Sequence, residues 1–268
     1  MTGSDAPLLI AHMSGADVHT ILSQTEGPAA EVINPSGTAP ICIVCEHASP
    51  FIPASLNRLR IAPEHLNSHA AWDIGARDLS VALSRSLDAP IVVSRVSRLV
   101  YDCNRPPEAR DAMPERSEVV AVPGNSGLSQ SERDARIREV YAPFRNLLAT
   151  TLDSFSRPPA LVTIHSFTPI WHGEKRSVEL GILHDSDDRL AKAMLDAAPG
   201  DINTQLNAPY SATDGVTHTL REHAVSRGLQ NVMIEVRNDL ISDEEGVAYF
   251  ARHLRNMLSR ALSSIETP

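Results

Sequence analysis

Short apolar runs recur along the chain, each bounded by polar or turn-forming residues. They are Ile41 to Cys45, Ile91 to Ser94, Leu161 to Ile164, Val178 to Leu183 and Asn231 to Val236. Each has the length of a strand and is apolar nearly throughout rather than alternating, the pattern of strands covered on both faces. Between them apolar residues recur at spacings of three and four, the period of one helical face. Ala70 to Leu87 reads as a helix ending before Asp88-Ala89-Pro90. Ser129 and Glu132 have the spacing of a capping box. The face that follows comprises Ile137, Val140, Tyr141, Phe144, Leu147, Leu148 and Leu152, with Pro143 expected to kink or reset the helix. Asp187 to Ala198 and Thr217 to Arg227 read as shorter helices. A last helix begins near Ser242, with Glu245 completing a second box, and its face runs from Val247 through Phe250, Leu254, Met257, Leu258 and Ala261 to Leu262.

Strands thus alternate with helices, which predicts an α/β sheet covered on both faces. Residues 1–38 scatter their apolar positions among Gly, Ser, Thr and Pro, and read as a loosely ordered N-terminal arm with one short helix around Val18 to Gln24. Residues 39–268 read as a single α/β domain. The Pro- and charge-rich stretch from Pro106 to Gly127 reads as a long excursion or lid.

Composition narrows the function classes. The chain has 268 residues, 42% hydrophobic and 21% charged, with a net charge of −9. An acidic surface argues against nucleic acid and anionic membranes, both of which want clustered Lys and Arg. No apolar stretch is long enough to span a bilayer. Three cysteines, Cys42, Cys45 and Cys103, form no disulfide framework. With no basic and apolar leader in view, a cytoplasmic protein is expected.

The chemistry gathers at strand ends. Ligands of open α/β sheets bind outside the carboxyl ends of the strands. Three predicted strands end in Glu46-His47, in His165-Ser166 and in Glu235-Val236-Arg237-Asn238-Asp239. Two histidines and several carboxylates on one rim are what a catalytic Zn²⁺ site needs, with three protein ligands and a fourth position for water. Each piece also admits an ordinary role. His47 and His165 could be hydrogen-bonded turn histidines, and Glu235 could pair with Arg237. His69 and Asp73 lie four apart, on one face if helical, and Asp73 could be a ligand or a helix-terminal carboxylate. In Asp102-Cys103-Asn104-Arg105 the arginine suits bidentate capture of a carboxylate, although an Asx turn before Pro106-Pro107 would use the same letters.

Together these strings resemble the N-formylglutamate amidohydrolase family. They are Cys45-Glu46-His47-Ala48-Ser49 with Pro53, Trp72-Asp73, Ser97-Arg98, Asp102-Cys103-Asn104-Arg105-Pro106-Pro107, His165-Ser166-Phe167 and Glu235-Val236-Arg237-Asn238-Asp239-Leu240. The resemblance implies a three-layer α/β/α sandwich with a mixed, largely parallel sheet, similar to zinc carboxypeptidases and aspartoacylases. It implies hydrolysis of a small-molecule N-acyl amino acid such as N-formylglutamate, with Zn or another divalent metal. His47 and His165 become metal ligands and Glu235 the general base. Asn104 and Arg105 become a carboxylate clamp joined by Asp102 and Arg237, and Arg98 stabilises an oxyanion or grips a second carboxylate. The carboxypeptidase pair His-x-x-Glu is missing, because Pro50 stands three after His47. The third ligand is expected to be Asp73, with Glu46 as the alternative. Glu46 adjoins His47 along an extended chain, so their side chains point oppositely.

Overall fold

The computed structural model describes residues 20–266. In chain order the strands are β1 (Ala30–Ile33), β2 (Ile41–Cys45), β3 (Ile91–Ser94), β4 (Arg116–Ser117), β5 (Val120–Ala121), β6 (Ala160–Phe167), β7 (Ile170–Trp171), β8 (Glu174–Lys175), β9 (Leu180–Leu183), β10 (Thr204–Leu206) and β11 (Asn231–Arg237). The helices are α1 (Ala76–Leu87), α2 (Gln130–Arg136), α3 (Ala142–Asp153), α4 (Arg189–Asp196), α5 (His218–His223) and α6 (Glu244–Glu266).

Seven strands form one mixed sheet in the order β1-β3-β2-β6-β11-β9-β10. Its centre, β3, β2, β6 and β11, is parallel, while β1 runs against β3 and β9 against β11. Side chains alternate between faces with period two. Ile43, Cys45, Val93, Val162, Ile164, Val232 and Ile234 pack on one side with the apolar stripes of α1, α4 and α6. Val44, Val92, Leu161, Leu183 and Met233 pack on the other with Phe144, Leu148 and Leu152 of α3 and Leu220 of α5. The fold is therefore an α/β/α sandwich with a mixed sheet, as expected. No described helix is long and apolar enough to cross a membrane.

Local differences have local causes. Residues 70–75 turn rather than coil, so α1 starts six residues later than its apolar spacing suggests. The stop is Gly75, whose φ of 80° is left-handed and whose added Cβ would stand 2.3 Å from the Ile241 carbonyl oxygen. The stretch Thr217–Arg227 splits into α5 and a 3-10 turn at Val225–Arg227. The Ser129–Glu132 capping box is present, and a π-turn at Ile137–Tyr141 resets the register before Pro143. The expected box at Ser242 gives way to Asp243, whose Oδ1 accepts from the Gly246 N–H at 2.9 Å. The short helix expected around Val18 to Gln24 lies partly outside the described residues, and Thr20 to Gln24 are not helical. Within the expected arm, Ala30–Ile33 form edge strand β1, which the scattered apolar pattern did not reveal.

The excursion from Pro106 to Gly127 carries the β4–β5 hairpin and is fastened at its base. Asn125 Nδ2 donates to the carbonyls of Leu99 and Pro114, both at 2.8 Å. The buried Arg136 donates through Nη1 to Asn125 Oδ1 at 2.6 Å and to the Val100 carbonyl at 3.1 Å. The hairpin tip projects, with Val119 79% exposed.

Gly181 of β9 stands directly opposite Glu235 of β11. A Cβ there would lie 2.0 Å from the Ala208 carbonyl oxygen and 3.2 Å from Glu235 Cβ. Gly181→Ala is therefore expected to destabilise the protein by about 1–3 kcal/mol through overpacking. Thermal unfolding measures it, and a wild-type Tm would show that the segment at Ala208 yields freely.

Candidate active site

The parallel centre of the sheet brings three strand ends to one rim. Glu46 and His47 follow β2, His165 lies near the end of β6, and Glu235 near the end of β11. The register of β6 and β11 pairs His165 with Glu235. Both fall on the face of Leu161 and Met233, the side covered by α3 and α5. Asp73 joins them from the turn before α1, where its N–H donates to the His47 carbonyl at 3.0 Å.

Three buried donors converge. Asp73 Oδ2 lies 3.2 Å from His47 Nδ1 and 2.9 Å from His165 Nδ1. The two Nδ1 atoms are 3.2 Å apart. One donor atom from each residue falls within 4.8 Å of the others. The far nitrogen of each ring is backed by a carboxylate. His47 Nε2 is 2.7 Å from Asp102 Oδ1. His165 Nε2 is 3.1 Å from Glu46 Oε2, a contact not aligned as a hydrogen bond. The hydrogen bond to Asp102 turns the Nδ1 lone pair of His47 inward, and the Glu46 charge beside His165 Nε2 favours the same tautomer in that ring. Two inward lone pairs beside a carboxylate repel unless a proton or cation lies between them, so this donor set fits a divalent metal such as zinc. Burial alone would raise the Asp73 carboxyl, yet the His47 and His165 rings and Arg98 outweigh it and hold it well below the usual range.

The remaining expected residues fall in different places. Arg98 donates to Asp73 Oδ1 at 3.3 Å and to Asp102 Oδ2 at 2.9 Å, and it lines the cavity. Glu46 and His47 address opposite nitrogens of the His165 ring, so Glu46 backs the donor cluster instead of completing it. Asp102, expected at the substrate, is buried behind His47 with its oxygens turned to His47, Arg98 and the Asn104 N–H. Asn104 lines the cavity, but its amide donates to the Val216 carbonyl and accepts from the Thr219 N–H, so it ties down the loop before α5. Arg105 also lines the cavity, with Nε on Asp111 Oδ2 at 2.7 Å and Nη1 on the carbonyls of Asn104 and Gly215. Arg237 is not among the lining residues. Its Nε pairs with Asp239 at 2.8 Å and its Nη1 with the Arg176 carbonyl. The ordinary alternative of a Glu235–Arg237 pair is not formed.

Glu235 enters the cavity with Oε2 buried and unpartnered. Burial pushes its carboxyl up to about 7 against the pull of His165. A carboxyl poised there suits a general base near neutral pH. The cavity holds about 170 Å³ and is closed by residues with no pattern of their own in sequence: Ser117 and Glu118 of the hairpin, Trp171, Tyr210 and Val216. His69 also lines it, and burial drives its imidazole down to about 4, so it is neutral at physiological pH.

Residues 39–242 match the family model described as N-formylglutamate amidohydrolase. The chain belongs to this family. It is an amide-bond hydrolase of that kind, and the family acts on small acyl amino acids. Its structure resembles that of a gene product of Agrobacterium tumefaciens, 47% identical over 92% of this chain and 99% of that one, with a TM-score of 0.90. It also shares its fold with the N-formylglutamate amidohydrolase of Ralstonia eutropha, at 17% identity over 88% of this chain and 97% of that one and a TM-score of 0.64. No curated protein matches the chain in sequence. The matched span includes the cavity-lining residues His47, Asp73, Arg98, His165 and Glu235.

Proposed function

We propose that this protein hydrolyses the amide of an N-formyl amino acid, N-formylglutamate foremost, using a divalent metal, zinc foremost, held by His47, Asp73 and His165. One observation carries the reading: the three-donor cluster lies one strand from an unpartnered buried carboxyl on the same face of the sheet. A bound metal supplies Lewis acidity toward the formyl oxygen and acidifies water. Glu235 takes a proton from the attacking water and returns it to the leaving amine. Arg98, fixed by two carboxylates, presents its remaining donors where negative charge develops on the oxygen. Arg105 keeps only Nη2 without a protein acceptor among the described residues, and this nitrogen serves the α-carboxylate. Formate and the free amino acid are the products. The small cavity favours a small acyl amino acid over a polypeptide. We also assign the protein to the cytoplasm, a reading supported by three unpaired, buried cysteines.

A panel of N-formyl, N-acetyl and N-succinyl glutamate and a formylated dipeptide tests the substrate. Formate release fastest from N-formylglutamate is expected. A protein that leaves the whole panel uncleaved after zinc loading would falsify the reading.

A further inference from the structure

We propose that Arg176 binds the side-chain carboxylate of the substrate and is the residue that selects acidic over neutral N-acyl amino acids. This rests on the hydrolase reading above and assigns one part of its specificity.

The cations first expected for this task are already neutralised. Arg98 lies between Asp73 and Asp102. Arg105 is paired with Asp111 and Arg237 with Asp239. An amino acid with two carboxylates needs a further cation at the cavity. Arg176 follows β8, and its guanidinium lies 4.9 Å from the ring centroid of Trp171, 5.1 Å from Tyr210 and 5.3 Å from Phe167. Arg176 is not itself among the lining residues, but two of the rings that hold it, Trp171 and Tyr210, line the cavity that contains Glu235. Among the described residues Arg176 forms no ion pair with a carboxylate. Its Nη1 donates to the Thr168 carbonyl and its Nη2 to the Tyr210 hydroxyl, each at 3.2 Å. A guanidinium has five N–H donors, so three remain for a ligand. Glu118 lines the same cavity from the hairpin tip and forms no ion pair with Arg176.

Three aromatic rings and two hydrogen bonds hold the guanidinium plane in place before substrate arrives. Aromatic faces attract the delocalised cation without consuming its N–H donors. That is the arrangement for capturing a planar carboxylate with little ordering cost. N-formylglutamine, isosteric with N-formylglutamate but neutral at the side chain, has no charge to offer it.

The test compares these two substrates in wild type, in Arg176→Met, which keeps the apolar stem, and in Tyr210→Phe, which removes only the hydroxyl that holds Arg176. Wild type should favour N-formylglutamate over N-formylglutamine. Arg176→Met should raise KM for N-formylglutamate about 10- to 100-fold, the range for a hydrogen-bonded charge. Its kcat should stay near wild type, because binding is lost equally in ground and transition states. KM for N-formylglutamine, whose side-chain amide oxygen still accepts from a guanidinium, should rise by less, and an unchanged circular dichroism spectrum and Tm report that the variant is folded. Tyr210→Phe should move KM in the same direction by less. An Arg176→Met enzyme that keeps the wild-type preference overturns the assignment and leaves the hydrolase reading standing. Calorimetry with glutarate as the probe, on zinc-loaded protein, separates the two ideas. If wild type cleaves nothing but binds glutarate, and Arg176→Met loses that binding, the hydrolase reading falls and Arg176 stands. If wild type neither cleaves N-formylglutamate nor binds glutarate, both fall.

Discussion

Replacing Glu235 by glutamine is expected to leave fold and metal content intact and to lower kcat by about 10²- to 10⁴-fold, the usual contribution of a positioned acid–base group. Glutamine fills the same space opposite Gly181 and keeps an oxygen toward the cavity, so packing is preserved. What it lacks is the ability to take and return a proton. The pH profile adds a second readout. The base works ionised, so kcat/KM in wild type should rise with pH through the Glu235 pKa. Burial sets that pKa at about 7 in the protein alone, and a cation held by His165 and Asp73 can only lower it. The acid limb therefore falls at or below about 7 and should disappear in the variant. A Glu235→Gln enzyme with wild-type kcat would remove the residue from the mechanism.

The second large effect concerns the metal. Asp73→Ala should abolish stoichiometric zinc binding, whereas Glu46→Gln should retain it with an affinity weakened about 10- to 100-fold, as for a group that supports a ligand from behind. The geometry is the reason: Asp73 Oδ2 reaches both Nδ1 atoms, and Glu46 reaches only the far side of the His165 ring. Metal analysis after dialysis gives the stoichiometry. The shift in Tm on adding zinc gives an independent readout, since a ligand at 100 times its Kd adds about 2.7 kcal/mol to stability. A zinc-free Glu46→Gln protein beside a zinc-loaded Asp73→Ala protein would exchange their roles. Loss of activity on chelation, restored by zinc, belongs to the same result.

Much of this was legible because strand and helix periods are local. The boundaries of β2 and β3 coincide with apolar runs in the sequence. The alternation of elements implied parallel central strands, and that put His47, His165 and Glu235 on one rim before any distance was known. Where the reading failed, a neighbour far along the chain had decided. The turn at Asp73 ends at Gly75, pressed against Ile241, and no helical period reports that contact. Edge strand β1 exists because β3 offers it a partner. The string Asp102-Cys103-Asn104-Arg105 was expected to face the substrate, yet most of its polar capacity goes inward. Asp102 backs His47 and Asn104 ties down the loop at Val216 and Thr219.

The sequence by itself determined the layers of the sandwich and the residue types at its strand ends, since burial on both faces and period-two alternation are written in consecutive residues. It also carried the family, through strings spread along the matched span. Only the tertiary structure decided which groups share a cavity and which are already spent. Asp73 sits between two imidazoles and Glu46 behind one of them. Arg105 is paired, while Arg176 stands on three aromatic rings without a carboxylate partner among the described residues. The physical reason is range. Hydrophobic period is set by neighbours three or four residues away, but a charge is available or neutralised according to residues that only folding brings near.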